Sequence, residues 1–376
     1  MKPSVLFILH MPPPIHGAAM MGQYIHDSNA INGAFSCHYI NMSTAQSLED
    51  IGHGGWHKFV LILKKWALIV KTIRSIHPDL VYLTPNSWGK AFYRDFITVQ
   101  IVKCLCQNLL LHFHNTGVAQ FQNRRINNWL YRRFFAGTKV LLLSSSLYAD
   151  VQRYVKKGQL MVCPNGIPLH IGVNWNKPLS LGRPRILMIA NLLKTKGVIE
   201  LLDACKKMRD NGLDFCCEIV GGETADYDAS SFQKEIDIRG ISKIVQYCGR
   251  RYGAGKTACL LHATIFCLPS YTEAFPLVTL EAMEYALPIV ATAVGGVVDQ
   301  VKDGVNGYLI PCKSQVTSTG HSPINIEALV SALSRLIKSP NLCREMGEKG
   351  RRIFLEQYSL NVFERRFINC LEAVVK

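Results

Sequence analysis

Arg185-Ile186-Leu187-Met188-Ile189-Ala190 runs into the loop Lys194-Thr195-Lys196-Gly197, and a segment of helical period follows. An apolar run without polar alternation is a strand buried on both faces, and a Gly-closed loop leading into a helix makes it one β-loop-α unit of a parallel sheet. The same order opens the chain, where Val5–His10 leads into Pro12-Pro13-Pro14-Ile15-His16-Gly17. Outward from these two starts, Cys37–Asn41, Leu80–Thr84, Leu109–His114, Lys139–Leu143 and Leu160–Cys163 read as strands of a first series. Phe215–Val220, Ile244–Tyr247, Thr264–Leu268, Pro288–Ala291 and Gly307–Ile310 continue the second. Pro164-Asn165-Gly166 to Arg183-Pro184 carries the composition of a linker. The predicted class is α/β, with two doubly wound, Rossmann-like domains facing each other across a cleft. Their bounds are 1–165, a linker at 166–184, 185–355, and a C-terminal helix at 356–376 that returns to the first domain. Thr317–Ser322 reads as a surface loop, and the chain from about Ile326 reads as helix.

The composition excludes several alternatives. Of 376 residues, 48% are hydrophobic and 18% charged, so the chain is neither a disordered tail nor a low-complexity polymer. Its 13 cysteines are scattered; only Cys104/Cys106 and Cys216/Cys217 cluster, without a second pair at zinc spacing, and they read as reduced thiols. Pro12-Pro13-Pro14 stands where a signal peptide would carry small residues, so the opening apolar run reads as a strand. No stretch approaches the roughly 20 apolar residues of a membrane span. The nearest, Trp56–Ile76, is broken by Lys58, Lys64, Lys65, Lys71 and Arg74. A soluble or peripheral protein is expected.

The formal charge of +15 is uneven. Residues 1–165 hold 17 Lys and Arg against 6 Asp and Glu, which leaves +11 there and +4 for the rest. The excess gathers in Trp56–Arg74 and in Arg124-Arg125 to Arg132-Arg133, where bases alternate with aromatics. Nucleic acid, an anionic membrane surface or two solvated amphipathic helices all fit that pattern.

Four constellations carry chemistry. His16-Gly17 lies in a strand-to-helix loop where backbone N–H groups can approach a phosphate, although no G-x-G-x-x-G fingerprint supports a dinucleotide. His112 and His114 alternate on one face at a strand end, as a structural pair, a metal pair or a cleft-facing site. Lys194 and Lys196 stand at a helix start, where cations suit a diphosphate. Pro269-Ser270-Tyr271-Thr272-Glu273-Ala274-Phe275-Pro276-Leu277-Val278-Thr279-Leu280-Glu281 sets one carboxylate outside a helix N-terminus and a second about a turn inside it. That arrangement suits hydroxyls beside a phosphate, and a hydrolytic carboxylate pair is its rival. Gly253-Ala254-Gly255-Lys256-Thr257 imitates the end of a phosphate-binding P-loop, but Arg250 stands where the first Gly is required.

Taken in order, these motifs resemble the retaining GT-B glycosyltransferases with an E-x7-E motif, the family 4-like group of bacterial capsule, O-antigen and lipid-linked glycan enzymes. The resemblance runs through His16-Gly17, Phe113-His114, Pro164-Asn165-Gly166, Lys196-Gly197, Val220-Gly221-Gly222, Glu273 to Glu281, Gly295-Gly296 and Asp303-Gly304. It implies transfer of a hexosyl or N-acetylhexosaminyl group from a nucleotide diphosphate sugar, most commonly a UDP-sugar, to a glycan or polyprenyl-diphosphate-linked acceptor in surface polysaccharide assembly. By the same resemblance Glu273 contacts sugar hydroxyls and Glu281 the ribose. Phe275, Pro276, Leu277 and Val278 offer backbone N–H groups to the sugar or β-phosphate, and Gly17 approaches the diphosphate. Lys196 neutralises the departing diphosphate, and His114 sits by the reacting carbon. Asn191, Lys194 and Arg250 join the nucleotide-sugar set, and His16 and His112 the acceptor side. No cofactor and no metal are implied; the partners are the donor, the acceptor and an anionic membrane surface, with no nucleic acid, and the place is the cytoplasmic inner face of the cell membrane. Two positions depart from the family: Ala190-Asn191 replaces its usual Gly-Arg, with Lys194 as a candidate second cation, and Val298-Asp299 replaces its Pro-Glu. A basic nucleic-acid-binding protein and a glycoside hydrolase built on Glu273 and Glu281 are the competing readings.

Overall fold

A computed structural model describes residues 2–43, 56–170, 182–312 and 323–375. The expected loop at Thr317–Ser322 and most of the expected linker lie outside the described residues. The chain divides into two units, residues 1–166 with 360–376, and residues 167–359.

The first unit is built on six parallel strands, β1 (Ser4–Leu9), β2 (Ser36–Asn41), β3 (Leu80–Leu83), β4 (Leu109–Phe113), β5 (Lys139–Leu142) and β6 (Leu160–Val162). Their order across the sheet is β2-β1-β3-β4-β5-β6. From β1 the chain first builds to one side with β2, then crosses to the other with β3. The loops after β1 and β3 therefore diverge, which opens a crevice at the carboxyl ends of those strands. β3 and β4 are buried along their whole length, the reason they read as unbroken apolar runs.

The last helix, Leu360–Val375, belongs to this unit. Its buried residues Phe363, Phe367, Leu371 and Val374 recur every three or four positions and form one apolar stripe. The Phe367 ring meets Tyr82 edge-on with centroids 5.2 Å apart and lies 6.4 Å from Phe7.

The second unit repeats the plan with β7 (Arg185–Ile189), β8 (Cys216–Val220), β9 (Val245–Tyr247), β10 (Ile265–Leu268), β11 (Ile289–Thr292) and β12 (Gly307–Ile310). The order is β12-β11-β10-β7-β8-β9 and every pairing is parallel. Here β7 and β10 flank the switch, with Ile186 opposite Ile265. Met188, Leu201, Phe215, Phe232, Cys267 and Leu333 fill the core beneath it. The unit ends where Ile167 N–H bonds the Tyr358 carbonyl at 3.0 Å, so its bounds are 167 and 359, not the expected 185 and 355. The unbroken helix Pro340–Gln357 explains the later end.

Candidate active site

The switch of the second unit brings the loop after β7 against the loop after β10. Lys196 Nζ pairs with Glu273 Oε1 at 2.7 Å, and Ser270 Oγ donates to the same oxygen at 2.8 Å. The Glu273 side chain is 9% exposed and Lys196 26%, so the pair sits at a partly desolvated mouth where charge interactions are weakly screened. Tyr271 N–H reaches the Thr195 carbonyl at 2.8 Å and zips the loops together. Gly197 makes that approach possible. It holds φ at +71°, and an added Cβ would lie 1.9 Å from the Pro269 carbonyl oxygen. Gly197→Ala is expected to cost about 2 kcal/mol or more, read as a fall in the urea unfolding free energy.

Beyond Glu273 the chain turns into the helix Leu277–Glu284, whose N-cap is Pro276 without a side-chain cap. The first-turn N–H groups of such a helix have no intrahelical acceptor, so they suit an anion. Phe275 is buried and packs edge-on against Tyr358 with centroids 5.7 Å apart, anchoring the loop from below. Gly296 N–H bonds the Ala274 carbonyl at 2.8 Å, and Gln300 Nε2 bonds the Pro276 carbonyl at 3.1 Å. Leu277 and Val278 are half-buried on the helix entrance.

Glu281 follows one turn in. Its Oε1 pairs with Lys256 Nζ at 2.6 Å, while its Oε2 is buried with no hydrogen-bond partner. A buried carboxylate oxygen left unpaired is costly, and a ligand hydroxyl would satisfy it. Lys256 is a site residue that sequence reasoning passed over. It belongs to the P-loop look-alike, which folds as the start of the helix Gly253–His262.

On the other side of β7, Asn191 Oδ1 accepts the Gly222 N–H at 3.0 Å, so Asn191 ties two loops together. The Arg250 guanidinium packs on Gly222, where a Cβ would lie 2.3 Å from it. Lys194 points elsewhere: its ammonium stands 5.8 Å from the centre of the Tyr227 ring, and its backbone N–H bonds Asp226.

In the first unit the strand ends gather histidines. His16 caps the helix Gly17–Asp27, its Nδ1 accepting from Ala19 N–H at 3.3 Å, and Gly17 is exposed at that helix N-terminus. His10, which sequence reasoning did not single out, has its ring 6.4 Å from that of His16. His114 follows β4, and both of its ring nitrogens are buried without a hydrogen-bond partner. Burial, with His10 and His16 nearby, lowers its pKa to about 3. Burial and then the Arg94 charge lower that of His10 to about 4. His112 is corrected. Its ring lies 4.3 Å from His114, on the same face as expected, but it is wholly buried, with Nδ1 2.7 Å from the Tyr82 hydroxyl and Phe367 packed over it. It supports His114 from the core and has no surface to offer an acceptor.

These two histidines set a pH dependence. Unfolded histidine takes up a proton near pH 6.5, whereas folded His10 and His114 resist to about 4 and about 3. Between those limits the unfolded state binds more protons, so stability is full above about pH 6.5 and is lost as pH falls, by at most about 1.4 kcal/mol per pH unit for each residue. Urea unfolding of His10→Asn should show a shallower loss than the wild type across that window.

Residues 174–353 match the model of the family described as glycosyl transferases group 1. Over its whole length the chain superposes on HepE of Anabaena in complex with UDP with a TM-score of 0.72 at 18% identity, covering 99% of this chain and 100% of that one. Its fold is that of the GT-B glycosyltransferases. Among curated proteins, an uncharacterized glycosyltransferase of Haemophilus influenzae is 31% identical over 186 residues, 49% of this chain and 48% of that protein. A D-inositol 3-phosphate glycosyltransferase of Streptomyces griseus is 33% identical over 173 residues, 45% of this chain and 33% of that protein. The chain thus spans a third to a half of the length of these curated relatives.

Proposed function

We propose that this GT-B protein is a glycosyltransferase that moves a hexosyl or N-acetylhexosaminyl group from a nucleotide diphosphate sugar to a hydroxyl of a glycan or lipid-linked glycan, with retention of anomeric configuration. The observation that carries the reading is the convergence at the second switch: the Lys196–Glu273 pair, the uncapped helix entrance at Leu277 and the unpaired Glu281 Oε2. A group that must neutralise a leaving diphosphate, one that orients sugar hydroxyls and one that receives ribose hydroxyls are then on adjoining loops.

In the proposed step the bond from the anomeric carbon to the diphosphate oxygen breaks and the electron pair leaves with the diphosphate. Lys196 and the N–H groups of Leu277 and Val278 stabilise that growing charge, the task with the largest share of the barrier. The acceptor oxygen bonds to the anomeric carbon on the face the diphosphate leaves, and the acceptor proton passes to the departing phosphate oxygen. Glu273 holds the sugar hydroxyls, and Glu281 holds the ribose. On the first unit, His114 is assigned to the sugar and His16 to the acceptor side. A UDP-sugar is the donor we favour, because HepE is described in complex with UDP. No metal is assigned a step, and turnover is expected to survive chelation by EDTA.

The acceptor we favour is a polyprenyl-diphosphate-linked or similar glycan of surface polysaccharide assembly, reached at the inner face of the cell membrane. The first unit's excess of bases supports it. A hydrolase on Glu273 and Glu281 is less well supported, since each carboxylate is held by a lysine ammonium, Lys196 or Lys256, instead of an apolar wall. Proton NMR of the reaction tests both readings. Growth of the equatorial anomeric-proton signal of an axially linked product from an axially linked donor, with nucleoside diphosphate released in equal amount, is expected. Free sugar without a new glycoside, or an inverted product, would overturn the proposal.

A further inference from the structure

We propose that Trp88, on the loop after β3, is a stacking platform for a pyranose ring of the acceptor glycan. The inference deepens the reading of a glycan acceptor and rests on it, while the platform itself is read from exposure and packing. The Trp88 indole is 51% exposed, yet it is firmly seated. It lies nearly parallel to the Phe121 ring, with centroids 5.4 Å apart and 18° between the planes. Its edge rests on Gly117, which holds φ at +144° and where an added Cβ would stand 2.4 Å from Trp88 Cδ1. A residue without a side chain is the seat, and a stacked ring backs one face of the indole. The opposite face is left to solvent.

The loops that carry the two rings are braced. Ser87 N–H donates to Asn115 Oδ1 at 3.0 Å, and Asn115 Nδ2 donates to Asn86 Oδ1 at 3.3 Å. The Asn86 N–H and Nδ2 both donate to Asp95 Oδ2, at 2.8 and 2.9 Å. Tyr131, itself buried, donates its hydroxyl to the Ser87 carbonyl at 2.6 Å. On the Phe121 side, the Asp150 carboxylate accepts the N–H groups of Gly117, Val118 and Ala119 at 3.0, 3.2 and 2.8 Å. Side chains on loops held this way give up little freedom when a ligand arrives. The Ser87–Asn115 bond also fixes the place. Trp88 follows Ser87 and His114 precedes Asn115, each a single peptide step of about 3.8 Å, so Trp88 stands on the same rim as His114.

A pyranose offers a face of C–H groups and a rim of hydroxyls. The C–H face gains dispersion and weak C–H attraction on an indole. The hydroxyls need polar partners beside the ring. Lys90 and Arg124 are exposed there, with the Arg124 guanidinium 5.3 Å from the centre of the Phe121 ring. An acyl chain gains nothing from those cations and is the poorer occupant. A single-stranded nucleic acid stacks successive bases on successive rings. Among the described residues the ring against Trp88 is Phe121, already stacked, so a run of bases finds no second step.

Saturation-transfer NMR of the full chain with lactose, cellobiose, maltose and N,N′-diacetylchitobiose tests the proposal, with adenosine and octanoate as competing probes. At least one disaccharide should receive saturation, strongest on its ring C–H protons. Trp88→Ala should lower that signal on the order of tenfold, whereas Trp88→Tyr, which keeps a flat ring, should retain most of it. The side chain is half exposed, so folding should persist, which the unfolding midpoint checks. Saturation of no disaccharide, an undiminished signal in Trp88→Ala, an equal loss in Trp88→Tyr, or a Trp88-dependent signal confined to adenosine or octanoate would each overturn it. Failure of the platform with nucleotide-sugar stabilisation intact overturns this inference alone. A Trp88-dependent disaccharide signal without nucleotide-sugar stabilisation overturns the donor reading alone.

Discussion

Lys196→Ala is expected to lower kcat for sugar transfer by about 10²–10³-fold while changing the KM for donor much less. The reason is where the charge appears. In the ground state the diphosphate already carries its charge and is shared among several donors, but the extra charge develops only as the anomeric bond breaks. Lys196 stands at the switch with its ammonium fixed 2.7 Å from Glu273, so it needs no rearrangement to meet that charge. Lys196→Arg retains the charge but not its position and should recover only part of the rate. Removal of the lysine also leaves the Glu273 carboxylate, 9% exposed, with Ser270 as its remaining partner, which should cost about 1–3 kcal/mol of stability. Transfer must therefore be measured well below the unfolding temperature of the variant. Glu273→Gln offers an independent check, since it removes the carboxylate charge and spares the shape. An unchanged kcat in both variants would remove the pair from the chemistry.

Glu281→Ala should act on the other kinetic parameter. A hydrogen bond from a ribose hydroxyl to a carboxylate is worth about 1.5–3 kcal/mol, so donor affinity should fall by about 10–100-fold. Calorimetric titration of the variant with the donor reads it directly. Lys256 holds one carboxylate oxygen and leaves the other open. If its task is to aim Glu281, Lys256→Ala weakens donor binding through Glu281 alone. The double variant Glu281→Ala/Lys256→Ala should then bind no worse than Glu281→Ala. Additive losses would mean that Lys256 meets the donor itself.

Much of the scaffold could be read before any coordinates. Central parallel strands are buried on both faces, so β3, β4, β10 and β11 appear as unbroken apolar runs. Several expected strands run one residue too far, at His10, Thr84, His114 and Ala190. Thr84 and Ala190 still bond the neighbouring strand through their N–H groups, to the Ile8 and Val220 carbonyls, so the ladder ends at these residues as the chain leaves the sheet. Glu273 and Glu281 were legible because loop and helix together fix their spacing within one local stretch. Lys256 was not, because its partner is 25 positions away on another helix and only the tertiary fold joins them. His112 shows the opposite limit. Alternation placed it on the face of His114, but depth depends on Phe367, a residue of the final helix with no local connection to β4. The bases of the first unit were counted correctly from sequence. The seat of exposed Trp88 on Phe121 needed the loops after β3 and β4 set side by side.

A thermal-shift panel of UDP-glucose, UDP-galactose, UDP-N-acetylglucosamine and GDP-mannose, run on the wild type and on Glu281→Ala, tests the central claim most directly. One donor at about 100 times its Kd should stabilise the wild type by about 2.7 kcal/mol, and Glu281→Ala should lose about half of that shift or more at the same concentration. No shift with any nucleotide sugar, or an equal shift in the variant, would contradict the assignment of the second switch as the donor site.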